Sequence, residues 1–290
     1  MYPTDNVVIV IPCAGERVTQ ETISAALTQR PGVRVILSGA RPADLRDQPG
    51  LTIFDTGAPV PPGMARNMGL QLAGEFDVAV FLDADCVPAH GWLKALLARV
   101  AEGHELVGGV MRPIDGGYWH TADQVTGFFD QLEGHPGGEV ETLTATNLAV
   151  TRRLWETAGP YPDKNRAGED FEFVLRCKAA GVTPYLEPAA RITHKPIPVG
   201  PGGLWRRAGL WGFHSIQVRK RLPELSATPR AMLNPFVLAF GAPLIGAIFA
   251  VHQLRHTPIA YRRWRLWPAM AIAKTNWCLG AASSLFRGAE

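Results

Sequence analysis

Two acids one residue apart, Asp83 and Asp85, follow an unbroken apolar run, Val78-Ala79-Val80-Phe81-Leu82. Carboxylates fixed at the end of a rigid strand can hold a hard divalent cation, and the cation can hold phosphate oxygens. The start of an ordinary solvated loop accounts for the same pair. A second acidic pair, Glu169-Asp170, opens an apolar helical stretch with Phe171, Val174 and Leu175. Carboxylates are favoured at a helix start, which is a sufficient structural reason for both. His194 closes the short run Arg191-Ile192-Thr193; beside two acidic pairs it is a candidate third metal ligand. Arg66 falls in the first turn of a helix that begins after Pro61-Pro62-Gly63. A cation is disfavoured there unless an anion is near, so Arg66 either reaches solvent or lies beside a bound phosphate. Asn147 is a polar residue among apolar ones, and either faces the surface or hydrogen-bonds a polar ligand.

These side chains need a frame. Short apolar runs at 7–11, 33–37, 51–54, 78–82 and 106–110 read as buried strands. Helical spacing predicts helices over 19–29, 64–73 and 92–100, and another from Glu169 that ends by 177–181. Strands alternating with helices imply an α/β fold with a mostly parallel sheet and right-handed crossovers. Ligands of such sheets collect outside the carboxyl ends of the strands, where Asp83 and Asp85 stand. Residues 115–141, rich in Gly, His and acid, are expected as a long, partly ordered segment beside the site. Strand character returns over 142–150, 184–186 and 191–194.

The chain has 290 residues, 47% of them hydrophobic, and a formal net charge of +3. That small net charge hides a split. Residues 201–290 carry 12 Lys+Arg and 2 acids, a net of +10, so the remainder nets −7. A basic tail of this kind meets an anionic surface. The four cysteines (Cys13, Cys86, Cys177, Cys278) are far apart, which argues against a zinc site or a disulfide framework and suits a reducing compartment. The polar opening residues do not read as a secretory leader.

Taken in order, Val8-Ile9-Val10-Ile11-Pro12, Ala65-Arg66-Asn67-Met68-Gly69, Phe81-Leu82-Asp83-Ala84-Asp85, Ala145-Thr146-Asn147-Leu148-Ala149 and Gly168-Glu169-Asp170-Phe171-Glu172 resemble glycosyltransferase family 2. These are inverting nucleotide-sugar transferases of GT-A fold. The resemblance covers most of the first two hundred residues. It implies a metal site of Asp83, Asp85 and His194, with Asp85 a direct ligand, and Mg2+ or Mn2+ as the cofactor neutralising the leaving nucleotide. It implies Asp170 as general base with Glu169 beside it, and Pro12, Ala14, Glu16, Arg66 and Asp83 on the donor side. Asn147 would then face the acceptor. In this family the second strand commonly ends in acidic residues against the nucleotide. Here it ends Leu37-Ser38-Gly39-Ala40-Arg41, and only Asp44 is left to substitute.

The tail reads differently. Residues 204–221 interleave Trp205 and Trp211 with Arg206, Arg207, Arg219, Lys220 and Arg221, as in a helix lying at a membrane surface or one packed on the preceding domain. Residues 231–254 carry no Lys, Arg, Asp or Glu and are long enough to span a bilayer; residues 266–286 form a second apolar stretch interrupted by Lys274 and Asn276. A first full crossing would place Arg255, Arg262, Arg263 and Arg265 outside, against the positive-inside tendency, so a shallow, re-entrant or interfacial pair is expected. The expected division is a GT-A catalytic domain over 1–200 and a membrane-associating helical region over 201–290. The expected enzyme transfers sugar from a nucleotide-diphosphate donor to a lipid-linked or saccharide acceptor at the cytoplasmic face of the cell membrane. Nucleic acid is not an expected partner. The rivals are an inactive GT-A-fold membrane adaptor and a nucleotidyltransferase, for which Cys13-Ala14-Gly15-Glu16-Arg17 is a poor phosphate loop.

Overall fold

A computed structural model describes residues 4–15 and 20–288. The elements run β1 (Val7–Ala14), α1 (Gln20–Leu27), β2 (Arg34–Ala40), β3 (Leu51–Asp55), α2 (Pro62–Ala73), β4 (Val78–Leu82), β5 (Cys86–Pro88), α3 (Trp92–Ala101) and β6 (Leu106–Pro113). They continue with α4 (Tyr118–Phe128), β7 (Gly138–Glu139), β8 (Asn147–Thr151), α5 (Arg152–Ala158), α6 (Glu169–Ala179), β9 (Tyr185–His194), α7 (Pro201–Arg221), α8 (Pro235–His256) and α9 (Trp267–Arg287).

The chain divides into two compact units. One runs to Arg112 and resumes over Pro136–Pro196; the other comprises Pro113–His135 and the chain from Ile197 onward. The first is built on one sheet in the order β3-β2-β1-β4-β8-β6-β9-β5, with β7 paired to β9. β3, β2, β1 and β4 are parallel neighbours. β8 enters antiparallel beside β4, and β5 lies antiparallel to β9. The sheet is therefore mixed, an α/β fold of GT-A type.

Every residue of β4 is buried, as a strand covered on both faces requires. Phe81 and Val150 pack with Tyr161, Phe173 and Val174, which fastens α6 to the strands. Register sets the site. Val10 of β1 pairs with Phe81 of β4, Leu82 pairs with Asn147, and Cys86 pairs with His194. Asp83 and Asp85 thus leave β4 next to the carboxyl end of β1, with His194 delivered from a distant part of the chain.

Three expectations for the strands and loops change. Residues 115–141 hold α4 and β7 rather than irregular chain. The extended run over 142–150 is a strand only from Asn147, because Thr142, Thr144 and Thr146 precede the paired register. The pieces at 184–186 and 191–194 belong to one strand, β9, carried through Glu187 and Pro188 by pairing with β7 at one end and β5 at the other.

The second unit is helical. α9 packs against α7 and against α8, and α4 packs against α9 and α7. Ala122, Val125, Leu204, Leu254, Met270 and Ala273 share one core; Ile216, Leu238, Ala242, Cys278 and Ala281 share another. Asp123 on α4 pairs with Arg207 on α7 at 2.6 Å. Among the described residues, α8 is the one helix long and apolar enough to cross a membrane by length and composition.

Candidate active site

The site is assembled around Arg66. Pro62 starts α2 with its missing N–H where no helical partner exists, and Arg66 follows one turn later. The residue is 3% exposed. One terminal nitrogen donates to Asp83 Oδ1 at 2.8 Å and the other to Glu169 Oε1 at 2.7 Å. It also lies over the Tyr161 ring, 5.4 Å from the centroid. Arg66 is thus not solvent-facing, and the anions beside it in the structure are the carboxylates of Asp83 and Glu169. It ties the end of β4 to the start of α6. Asn67 secures the neighbouring loop, donating to the Tyr161 carbonyl at 2.8 Å and accepting from the Tyr161 N–H at 3.0 Å.

Asp83 and Asp85 have different surroundings. Both oxygens of Asp83 are engaged, one by Arg66 and the other by the Thr146 hydroxyl, which donates at 2.9 Å. Asp85 instead faces His194, with Oδ2 3.4 Å from Nε2. Asp85, Cys86 and His194 present ligand atoms that all lie within 4.8 Å of one another. Burial pushes the Asp85 carboxyl up, but the hydrogen bond and charge of His194 outweigh it and hold the group below the usual carboxylate range. Burial and the nearby carboxylates push the Cys86 thiol well up, so it stays protonated and donates weakly to Asp85. The remaining donors, one carboxylate oxygen and one imidazole nitrogen, fit Mn2+ or Mg2+ rather than a thiolate-bound metal. The structure therefore brings Asp85 and His194 together as candidate ligands, with Asp83 held nearby in sequence by Arg66 and Thr146.

Glu169 and Asp170 occupy the first turn of α6. Burial, then repulsion from Asp170, raises the Glu169 carboxyl against the pull of Arg66. Burial likewise raises Asp170, while Arg66 and the Phe171 N–H, which donates to Oδ1 at 2.8 Å, oppose the rise. Four carboxyl groups thus share one buried guanidinium, and the raised proton affinity of Glu169 and Asp170 follows from burial and that crowding.

Pro12 is buried and Ala14 exposed at the carboxyl end of β1. Glu16 lies outside the described residues. Asp44 is exposed in the turn after β2, with nothing tying it to the cluster. Asn147 requires correction: it faces neither the surface nor an acceptor. It is buried, accepts from Trp92 Nε1 at 2.7 Å, and donates to the Ala190 carbonyl at 3.0 Å. Buried among these partners, the side chain holds β8 to β9 and α3 and offers no open face to a substrate. Sequence reading passed over Thr146, whose position one residue before Asn147 was the available signal, and Tyr161, which carried none.

The fold has solved counterparts. Mannosyltransferase PcManGT from Pyrobaculum calidifontis, in complex with GDP-Man and Mn2+, superimposes with a TM-score of 0.63 at 17% identity, covering 100% of this chain and 91% of that one. S. aureus TarS 1-349 gives a TM-score of 0.54 at 14% identity over 98% of this chain and 92% of that one. GalNAc-T7 with UDP, GalNAc and Mn2+ gives 0.52 at 16% identity over 77% of this chain, which spans about half (51%) of its length. No curated protein sequence matches the chain. Glycosyltransferases of GT-A fold are thus the class that the sheet resembles. The profile of Glycosyl transferase family 2 matches residues 8–155, just over half of the sequence, and the chain belongs to that family.

Proposed function

We propose that this glycosyltransferase is metal-dependent and inverting, and moves a sugar from a nucleotide-diphosphate donor to a lipid-linked or saccharide acceptor at the cytoplasmic face of the cell membrane. The observation that carries the chemistry is the Asp83–Arg66–Glu169 chain, which gathers the two acidic pairs at one side of the sheet. Asp85 and His194 would hold Mn2+ or Mg2+, with Asp83 held nearby in sequence by Arg66 and Thr146. A cation bound there supplies charge neutralisation to the diphosphate leaving group.

Asp170 is the general base. Its raised affinity for protons suits it to take one from an acceptor hydroxyl near neutral pH. The hydroxyl oxygen then bonds to the anomeric carbon as the bond from that carbon to the phosphate oxygen breaks. The nucleoside diphosphate leaves with the electron pair, and one displacement inverts the configuration. Glu169 stays on Arg66 and keeps the start of α6 in place. The chain to about residue 200 carries this chemistry. Residues 201–290 carry the membrane contact, supported by a net charge of +10 and a long charge-free run.

The test is nucleotide-sugar transfer and hydrolysis on detergent-purified protein, with and without manganese, for the wild type, Asp85→Ala and Asp170→Asn. Loss in both variants supports the mechanism; retention in both overturns it. Calorimetry with nucleoside diphosphates and manganese separates an enzyme, which binds, from a fold that has lost its donor, which does not.

A further inference from the structure

The face that α8 turns outward is the reverse of a water-soluble helix. Phe240 is 85% exposed, Leu244 68%, Phe236 60% and Ile248 58%. These four recur every fourth residue and form one stripe along the helix, with Val237, Pro243 and Phe249 beside it. The middle of the inward face is small: Ala242, Gly246 and Ala250 are buried between Leu238 and Leu254, with Gly246 set against Thr275 and Ala271 of α9. In water the large apolar residues go inside. Small residues inside and large ones outside is the arrangement of helices solvated by lipid.

We infer that α8 docks lengthwise in the headgroup–acyl boundary of one anionic leaflet, lying in the membrane plane and not crossing it. This rests on the proposed membrane association and specifies its partner and its geometry. α9 cannot enter hydrocarbon without α7. A Cβ at Gly212 of α7 would fall 1.9 Å from the Trp277 carbonyl oxygen, and one at Gly280 of α9 would fall 2.1 Å from that of Gly209, so the two backbones touch. α7 carries Arg206, Arg207, Arg219, Lys220 and Arg221, which makes immersion of the pair prohibitive. The stripe on α8 is the surface that remains.

Charge selects the lipid. Exposed Arg230 precedes α8, exposed Arg255 sits in its last turn, and exposed Arg262, Arg263 and Arg265 follow it, so basic groups stand beyond both ends of the stripe. A crossing would put the two groups on opposite sides of the bilayer; an in-plane helix puts them on one. Trp264 and Trp267, both exposed, and Ile259 extend the apolar surface at the end where four of the arginines lie. Amphipathic rings beside arginine suit the interface between headgroups and acyl chains.

The experiment uses the full chain purified in detergent and exchanged into vesicles of phosphatidylcholine with or without phosphatidylglycerol. All four native cysteines are buried, so Phe240→Cys, Leu244→Cys and Ile248→Cys can each be labelled with an environment-sensitive fluorophore. Quenchers placed at defined lipid depths then read each position. Equal, shallow depths at the three sites support the inference; depths that step by about 6 Å from one site to the next, the rise of four helical residues, overturn it in favour of a crossing. Leu244→Asp is expected to weaken vesicle binding roughly tenfold or more. Arg262→Glu with Arg263→Glu is expected to weaken binding to phosphatidylglycerol vesicles at least about fivefold per residue and to leave binding to pure phosphatidylcholine little changed. Absence of binding to either vesicle overturns membrane association itself, and a lipid-free dimer that Leu244→Asp converts to monomer assigns the stripe to a second copy of the chain. Nucleoside-diphosphate calorimetry on the same samples keeps the catalytic reading separate from each of these outcomes.

Discussion

α2 and α8 both begin with proline, and both pack one face against their neighbours, yet they obey opposite rules. α2 carries a charged group into the protein interior and satisfies it there, with Arg66 between Asp83 and Glu169. α8 has no charge over its first five turns and leaves its largest apolar residues uncovered. Burial of a charge is tolerated only when the geometry compensates it, and here the compensation joins the two acidic pairs of the candidate site. A contiguous stripe of exposed phenylalanine and leucine is unusual in water and fits the proposed attachment to lipid. The interior of one unit holds paired charges, and the exterior of the other is apolar.

That contrast can be broken in four places. The largest effect is expected in the cluster: Asp170→Asn should lower transfer by about 10³-fold, within the range of a lost general base, while nucleoside-diphosphate binding by calorimetry persists. Next, Arg66→Met leaves two carboxylates unpaired and should cost about 3–5 kcal/mol in denaturant unfolding. The same variant has a pH signature. In the proposed mechanism Asp170 acts deprotonated, and the guanidinium lowers its affinity for protons. Removing Arg66 therefore moves the acid limb of kcat/KM to higher pH, and an unmoved limb would take Asp170 out of the base role.

Asn147→Ala comes third. It strands the buried Trp92 N–H and should cost about 1–3 kcal/mol of stability, yet leave the acceptor KM of the folded enzyme unchanged. A raised KM would restore a substrate role to this residue. The smallest effect belongs to α8, where Phe240→Ser should change unfolding stability by no more than about 0.5 kcal/mol in detergent. A larger loss would mean that the stripe is packed against protein.

How far the sequence reached depended on whether neighbours in space were also neighbours in chain. β1, β4 and the start of α6 were legible because each is a local pattern: an apolar run, then acids or a turn. Their joint role became legible only through the order of five short segments. Arg66 was singled out for the right reason, a cation in a first turn needing an anion. The two carboxylates found beside it come from 17 and 103 residues away, distances no local pattern spans. Asn147 was misread because its partners, Trp92 and Ala190, sit on other elements. Over 115–141 the sequence suggests a long, partly ordered segment, because glycine and histidine there mask the buried Ala122 and Val125 of α4.

The end of β2 has a bearing on redesign. Gly39 has φ +125°, and a Cβ there would lie 1.9 Å from the Cys13 carbonyl oxygen, so no side chain can be grafted at that position without moving the adjoining strand. Ser38 is fully buried beneath Gly69 of α2, where a larger residue would lift the helix that bears Arg66. The missing acids are thus excluded by packing and could not be restored by point changes at these two codons. If this region meets the nucleotide as proposed, changes aimed at it have to begin beyond them, where Arg41, Ala43 and Asp44 are exposed.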